Sequence, residues 1–255
     1  MNPSISLNTD EIITEVNDNL RLIESSNGLR FGTDALMLAG FVRRVRGGSA
    51  IEFGAGSGII SLLCASREKF DKITAVEVQA PHADIMRRNV ALNSLDAKIE
   101  AVCADIRELD KYAASDCVDA IFCNPPYMKT DSGKANVCDE KNSARHEVNG
   151  TIRDFCLAAQ AKLKFGGSFY VVYRPDRLCD LIASMRECLL EPKQITFVAA
   201  TPKDAPSMVL VRARRGGAPG VEVTRQFFIY ANDAHEYSED MEYLLKHGEF
   251  PKICK

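Results

Sequence analysis

The stretch Ser49-Ala50-Ile51-Glu52-Phe53-Gly54-Ala55-Gly56-Ser57-Gly58 decides the fold class of this chain. Its first half predicts a short buried strand, its second half predicts a glycine-rich turn, and the apolar run 59–66 after it predicts a helix. A strand, a glycine-rich turn and a helix in this order open a nucleotide-type α/β fold. The pattern that binds dinucleotides needs its third glycine five residues after the first, and Ile59 occupies that position here.

The charge beside this turn indicates which ligand the turn can hold. Glu52 is expected to place an anion at the mouth of the loop, where it repels a pyrophosphate and attracts an ammonium or sulfonium group. The loop with Gly54, Gly56 and Gly58 therefore fits S-adenosylmethionine better than NAD. The alternative is a glycine turn that only lets the helix and the strand pack closely.

Two further predicted strands end in acidic residues. The strand 72–76 is followed by Glu77, about 20 residues after the glycines, where a carboxylate can accept both ribose hydroxyls of a nucleotide. The strand 99–103 leads to Asp105, which is placed to take the adenine amino group of the cofactor. One acid at a strand end is common because loops are polar, whereas two of them beside a glycine-rich loop indicate a nucleotide site.

A fourth predicted strand, 118–123, stops at Asn124-Pro125-Pro126-Tyr127. The two prolines predict a rigid, extended turn at the carboxyl edge of the sheet, where ligands of open α/β folds bind. The oxygens of the Asn124 carboxamide and of the peptide groups in this turn can accept hydrogen bonds from an –NH2 group whose lone pair must face an electrophile. Its ring suits a flat group held by stacking, worth about 1–3 kcal/mol for a base. A plain proline-containing turn is the alternative.

The rest of the chain continues the alternation of helices and strands. Residues 1–30 predict a small hairpin flap, and residues 128–150 predict a mobile polar loop over the site. Thr33 is expected to cap a helix that runs to about Val45 and ends at Gly47-Gly48, with Asp34 in its first turn. Further helices are predicted over 81–92, 152–164 and 176–189, and further strands over 168–173, 194–199 and 208–213, with the last two antiparallel.

Composition predicts an ordinary globular protein in one large domain. Of the 255 residues, 46% are hydrophobic and 26% charged, and the net charge of −3 gives no global attraction to nucleic acid. No signal peptide or membrane-spanning run is apparent. Nine cysteines without a C-x-x-C pair are typical of free thiols. We therefore expect a cytoplasmic, reduced, metal-free protein.

The order of these motifs resembles the class I, Rossmann-like, S-adenosylmethionine-dependent methyltransferases. The resemblance covers residues 33–215 and implies an α/β fold of three layers, with a seven-stranded, mostly parallel sheet whose last strand is antiparallel. Residues 1–32 would form an N-terminal flap and 216–255 a C-terminal extension of the single domain.

The Asn-Pro-Pro-Tyr motif is similar to that of the subgroup that methylates amino groups. More narrowly, the segments 29–35 (LRFGTDA), 144–147 (ARHE) and 214–220 (RRGGAPG) resemble the bacterial tRNA1(Val) (adenine-37-N6)-methyltransferases. This resemblance implies that the Asn124 side-chain oxygen and the Pro125 carbonyl accept both N–H groups of the amine, and that Tyr127 stacks on a flipped base. It implies a cofactor site built from Thr33, Asp34, Glu52, Gly54, Gly56, Gly58, Glu77, Val78, Asp105, Ile106 and Asn124.

The implied partner is tRNA, bound by a protein that we expect to be a monomer. Local basic sites offer contacts, although each is also an ordinary solvated surface feature: Arg43-Arg44 with Arg46, Lys162 with Lys164, and Arg212 with Arg214-Arg215. One alternative is a glutamine-amide methyltransferase acting on a release factor. Those enzymes carry a helical domain before the core, whereas about 30 residues precede the first helix here. The other alternative is a non-catalytic S-adenosylmethionine-binding module, in which Asn124 and Tyr127 would have no use.

Overall fold

A computed structural model describes residues 7–25, 31–111, 114–125 and 150–252. The strands of these ranges are β1 Glu11–Asn17, β2 Leu20–Ser25, β3 Ser49–Phe53, β4 Lys72–Glu77, β5 Ile99–Cys103, β6 Val118–Cys123, β7 Leu163–Tyr173, β8 Leu190–Ala199, β9 Met208–Arg215, β10 Glu222–Val223 and β11 Phe227–Phe228. The α-helices are α1 Thr33–Phe41, α2 Ile59–Ser66, α3 Ala80–Leu92, α4 Ile152–Lys162, α5 Leu178–Glu187 and α6 Glu239–His247.

Nine of these strands form one sheet. Its order is β10-β8-β9-β7-β6-β3-β4-β5, and β11 also pairs with β8. Strands β3 to β7 run parallel, whereas β9 is antiparallel to both β7 and β8. The predicted sheet with an antiparallel end is therefore confirmed. The predicted count of seven is too low, because β10 and β11 have two residues each, too few to show a period in the sequence.

The sheet lies between two layers of helices. On one face α1, α2 and α3 pack against buried side chains such as Phe122 and Tyr170. On the other face α4 and α5 bury Phe155, Leu181 and Met185 against side chains that alternate with the first set along the same strands. This alternation is what a strand covered on both faces requires, and it confirms the three-layer arrangement.

The predicted N-terminal hairpin is formed by β1 and β2, which pair antiparallel. It lies against α3, where the Asn89 side chain accepts a hydrogen bond from the Ile23 amide at 2.6 Å. The same side chain donates to the Ser57 carbonyl at 2.9 Å, which ties the hairpin to the glycine-rich turn. The division of the chain into flap, core and extension stays a prediction.

Helix α1 differs from its prediction at both ends. Its N-cap is Gly32, which has no side chain to cap the helix, so Thr33 is the first helical residue rather than the cap. The helix ends at Phe41, four residues earlier than expected. Its last turn is closed by the buried Lys69, whose ammonium group donates to the carbonyls of Ala39 and Val42 at 2.6 Å each. A cap from a residue so distant in sequence leaves no local signal.

The other predicted boundaries shift by a few residues. Strand β7 follows α4 without a loop and starts at Leu163, five residues before the expected Ser168. Helix α5 starts at Leu178 after a 3₁₀ turn, Pro175–Arg177, and is shorter than predicted. The predicted mobile loop 128–150 lies almost entirely outside the described residues.

Several expectations from composition can be compared with the described ranges. The seven cysteines in these ranges are free, as predicted. Each helix there falls short of the length and apolar character that crossing a membrane requires. No group of three or more His, Cys, Asp or Glu side chains in the described part could hold a metal ion, and a metal-free protein stays a prediction.

Candidate active site

The carboxyl ends of β3, β4, β5 and β6 meet around a cleft of about 210 Å³. Seven of the residues predicted from the sequence line it: Gly54, Gly56, Glu77, Val78, Asp105, Ile106 and Asn124. They come from four different βα junctions and converge because all four strands are parallel. The sheet topology therefore assembles most of the predicted set.

The glycine-rich turn forms one wall of the cleft. Gly54 and Gly56 have φ values of +66° and +55°, in the left-handed region that side-chain-bearing residues rarely adopt. A Cβ atom placed on Gly56 would meet no heavy atom within 4 Å. The turn is thus shaped by backbone alone and leaves its inner side free for a ligand.

Glu77 is held rigidly at the end of β4. One carboxylate oxygen accepts the Gly56 amide at 2.9 Å, and the other accepts the Gln79 amide at 2.8 Å. The residue is only 5% exposed, so its orientation is fixed. Because each carboxylate oxygen has two lone pairs, Glu77 can still accept hydrogen bonds from a ligand's hydroxyl groups.

Asp105 lies at the end of β5 and is paired with Arg107. The guanidinium Nε donates to Asp105 Oδ1 at 2.9 Å, and the Arg107 amide donates to the same oxygen at 2.9 Å. The hydrogen bonds from Arg107 lower the pKa of Asp105. The group therefore stays charged in the cleft and can accept an amino group.

The side chain of Asn124, just past β6, has two different ends. Its Nδ2 donates to Asp34 Oδ2 at 2.7 Å. Its Oδ1 is buried and has no hydrogen-bond partner in the described part of the chain. A buried acceptor without a partner is costly, and here it lies at the cleft wall. The arrangement holds an acceptor ready for a donor that enters the cleft.

Glu52 is not at the mouth of the loop, and that expectation is wrong. The residue is 1% exposed, and its Oε2 accepts hydrogen bonds from the amide (2.9 Å) and the hydroxyl of Ser61 on α2. Burial raises the pKa of Glu52 to about 8, with Ser61 opposing the shift. Glu52 therefore joins β3 to α2 beneath the loop and does not line the cleft.

Other predicted residues also stand apart from the cleft lining. Gly58 has φ of +83° and packs on Met86 behind the turn, and Thr33 starts α1. Among the described residues, Asp34 reaches the site through its hydrogen bond with Asn124. Pro125 is buried next to Asn124, and Tyr127 lies outside the described residues.

Sequence reasoning missed five lining residues: the apolar Val76 and Ala104 at strand ends, and Gln79, His82 and Phe155. Phe155 comes from α4 on the other side of the sheet and packs on Phe53, with ring centroids 6.3 Å apart. Its position depends on how α4 docks, which no local pattern reports. Gln79 and His82 follow Glu77 closely, and that proximity was the one signal available.

The basic sites expected to hold RNA are only partly available. Lys162 is 2% exposed, so it cannot be the surface residue that the sequence suggested. Lys164 is paired with Asp119 at 2.8 Å, and Arg215 is paired with Asp116. Arg43, next to the end of α1, remains exposed.

The family comparison agrees with this geometry. Residues 23–196 match the family model described as "Methyltransferase small domain". Because the match covers more than half of the chain, the protein belongs to this family of methyltransferases. The prediction of an S-adenosylmethionine-dependent methyltransferase with a Rossmann-like fold is thereby confirmed.

Curated relatives give a narrower likeness. A Shewanella loihica protein is 29% identical over 191 residues, which cover 74% of this chain and 77% of the relative. A Porphyromonas gingivalis protein is 25% identical over 188 residues, covering 71% and 73%. A Shewanella halifaxensis protein is 30% identical over 123 residues, so this match spans about half of each chain (48% and 49%). All three are named tRNA1(Val) (adenine(37)-N6)-methyltransferase.

Solved structures share the fold. One is described as a predicted O-methyltransferase of Agrobacterium tumefaciens, with a TM-score of 0.68, 22% identity and coverage of 86% of this chain and 98% of that one. Another is M. jannaschii TYW2 in complex with AdoMet, with a TM-score of 0.56, 14% identity and coverage of 82% and 88%. At these identities the likeness concerns the fold alone.

Proposed function

We propose that this protein transfers a methyl group from S-adenosylmethionine to the exocyclic N6 amine of an adenine in tRNA. By likeness to the curated relatives, the expected target is adenine-37 of a valine tRNA. The observation that carries the proposal is the Asn124 carboxamide beside the cleft, whose nitrogen donates to Asp34 and whose oxygen has no hydrogen-bond partner among the described residues. Cytoplasmic location and a monomeric state remain predictions.

The cleft has the groups that such a cofactor needs. The backbone of Gly54 and Gly56 leaves room for the ligand, Glu77 would accept the ribose hydroxyls, and the charged Asp105 would accept the adenine amino group. Bound S-adenosylmethionine supplies an electrophilic methyl group on a sulfonium. No side chain of the glycine turn intrudes on this space, which supports the fit.

The residues after β6 would prepare the amine. An exocyclic adenine amine is a poor nucleophile because its lone pair is delocalised into the ring. Two hydrogen bonds, to Asn124 Oδ1 and to the Pro125 carbonyl, would localise the lone pair on nitrogen and aim it at the methyl group. Because the Asn124 amide nitrogen already donates a hydrogen bond to Asp34, Asn124 presents its oxygen and not its NH2 group to the substrate.

Transfer then needs positioning more than proton abstraction. With S-adenosylmethionine held by the cleft residues, the nitrogen–carbon bond would form as the sulfur–carbon bond breaks, and the methylated nitrogen would release its acidic proton to solvent. The base must leave its stack to reach Asn124, at a cost of a few kcal/mol. Stacking on Tyr127, which stays a prediction, would offset that cost.

The test is methyl transfer from labelled S-adenosylmethionine to three acceptors: unmodified total tRNA, ribosomal RNA and a recombinant release factor. Mass spectrometry of the nucleosides identifies the product, and Asn124→Ala serves as the control for transfer at this site. N6-methyladenosine in tRNA alone, absent with Asn124→Ala, supports the proposal. Label in the release factor would replace it by the glutamine-amide activity. Cofactor binding with no transfer to any acceptor would point to a non-catalytic module.

A further inference from the structure

Two basic segments that are far apart in the sequence converge in a second cavity. Arg43 and Arg44 follow α1, and Arg212 lies in the middle of β9. The three arginines line a cavity of about 570 Å³ between the end of α1 and the outer strands. This cavity shares no lining residue with the cleft described above. Helix α1 separates the two, with a length of about 14 Å for its nine residues.

Among the arginines of the cavity, Arg212 has a buried donor that lacks a hydrogen bond in the described part of the chain. It lies in register between Tyr170 on β7 and Gln194 on β8, which places its side chain on the α1 face of the sheet. Its Nε is buried and has no hydrogen-bond partner among the residues of the described ranges. Burial, and next the charge of Arg43, lower the pKa of Arg212. The fold therefore holds two like charges close together and leaves the Nε of the inner one without a hydrogen bond from the described residues.

The neighbours of Arg212 give its Nε no hydrogen bond in the described part of the chain. Arg43 Nη2 donates to the Gln194 side-chain oxygen at 2.7 Å, and that acceptor is neutral. Glu222 is exposed, and its charge attracts Arg212. The two side chains form no hydrogen bond in the described structure. Glu249 also lines the cavity. These two carboxylates disfavour a ligand of extended negative charge and leave room for one small anionic group at the guanidinium groups.

We propose that this cavity binds a single phosphate group between Arg43 and Arg212. Guanidinium groups present their N–H donors in a planar fork that matches two phosphate oxygens at once, which favours phosphate over a point anion. The unpartnered Nε of Arg212 gains an acceptor, and the repulsion between the two arginines is relieved. The phosphate can come from the RNA backbone or from a free phosphorylated compound.

Calorimetric titration of the full chain with inorganic phosphate tests the site. Arg43→Gln and Arg212→Met are expected to weaken binding by about tenfold or more, as loss of a charge-assisted pair predicts. Arg46→Gln is the matched control, because Arg46 belongs to the same basic segment, is exposed and does not line the cavity. Equal phosphate affinity in all four proteins, or no binding by the wild type, overturns the proposal.

Thermal unfolding provides a second readout. In phosphate-free buffer Arg212→Met should have an unchanged or higher Tm, because a buried unpartnered donor is removed. Added phosphate should raise the Tm of the wild type and not that of Arg212→Met. A phosphate-dependent rise of equal size in both proteins contradicts the proposal. If Arg212→Met does not fold, the phosphate affinity of Arg43→Gln, a change at an exposed residue, still tests the proposal.

Salt titration of tRNA binding separates the two sources of phosphate. If the RNA backbone occupies the site, Arg43→Gln lowers the slope of log K against log salt by about 0.7–0.9, the value for one phosphate contact. If a free compound occupies it, the slope stays unchanged while Arg43→Gln still loses inorganic phosphate. Either a lowered slope or an unchanged slope with lost phosphate binding supports the site. Neither result depends on whether the protein transfers a methyl group to tRNA.

Discussion

Replacing Asp34 separates two roles that the sequence and the structure assign to it. The sequence resemblance places Asp34 in the cofactor site, whereas the structure gives it one contact there, the 2.7 Å hydrogen bond from Asn124 Nδ2. Its other oxygen accepts the Ala35 amide at 3.0 Å at the start of α1. We expect Asp34 to act as a positioning residue that fixes the Asn124 amide with its oxygen toward the substrate.

The size of the effect follows from that hydrogen bond. A bond to a charged acceptor is worth about 1.5–3 kcal/mol and a neutral one about 0.5–1.5 kcal/mol. Asp34→Ala should therefore lower kcat by about 10- to 150-fold, at 1.36 kcal/mol per factor of ten. Asp34→Asn should lower it by about tenfold, because the introduced amide can also donate to the Asn124 oxygen and turn it away from the substrate.

The assay compares single-turnover methyl transfer with S-adenosylmethionine affinity measured by calorimetry. We expect kcat to fall in both variants while the cofactor Kd stays within about twofold of wild type. Asp154→Asn is the control, since it also changes an acid in the first turn of a helix, but one whose oxygen accepts from Thr151. A raised cofactor Kd with unchanged kcat would refute the positioning role and restore the assignment made from the sequence.

Three other changes test two residues of the site and the buried carboxyl beneath the glycine-rich loop. Asn124→Ala should abolish methyl transfer while calorimetry shows cofactor binding preserved. Glu77→Ala should weaken the cofactor Kd first, since both oxygens of Glu77 shape the cleft, and kcat at saturating cofactor should change little. Glu52→Gln tests the buried carboxyl. Its folded-state pKa of about 8 exceeds the ordinary glutamate pKa of 4.5, so its contribution to stability is full below about pH 4.5 and is lost as pH rises through about 8. Urea unfolding should show that loss in the wild type and a flatter profile in Glu52→Gln.

The sequence predicted those parts of the site that depend on single βα junctions. A strand followed by glycines, and strands that end in Glu77 or Asp105, carry their position in their own spacing, because parallel strands bring their carboxyl ends to one edge. The same reasoning failed for Glu52, which is next to the loop in sequence. Side chains alternate along a strand, and this one points into the layer under α2.

Contacts between distant residues could not be predicted. Asp34 and Asn124 are 90 positions apart, and Lys69 closes α1 from a different loop. Each contact depends on how a helix docks on the sheet, and neither leaves a period or a motif in the sequence. The cavity of Arg43 and Arg212 has the same origin, because these residues meet only after β9 has been placed next to β7.

Helix α1 connects these separate observations. It begins at the acid that orients Asn124 and leads to Arg43 at the second cavity. It is fixed near its far end by Lys69 and by the close packing of Leu244 from α6, since a Cβ atom on Gly40 would lie 2.1 Å from the Leu244 side chain. A helix held in this way keeps the amine-binding oxygen and the proposed phosphate site at a constant distance. If the bound phosphate belongs to the RNA, α1 therefore sets which nucleotide, counted from that phosphate, can reach Asn124.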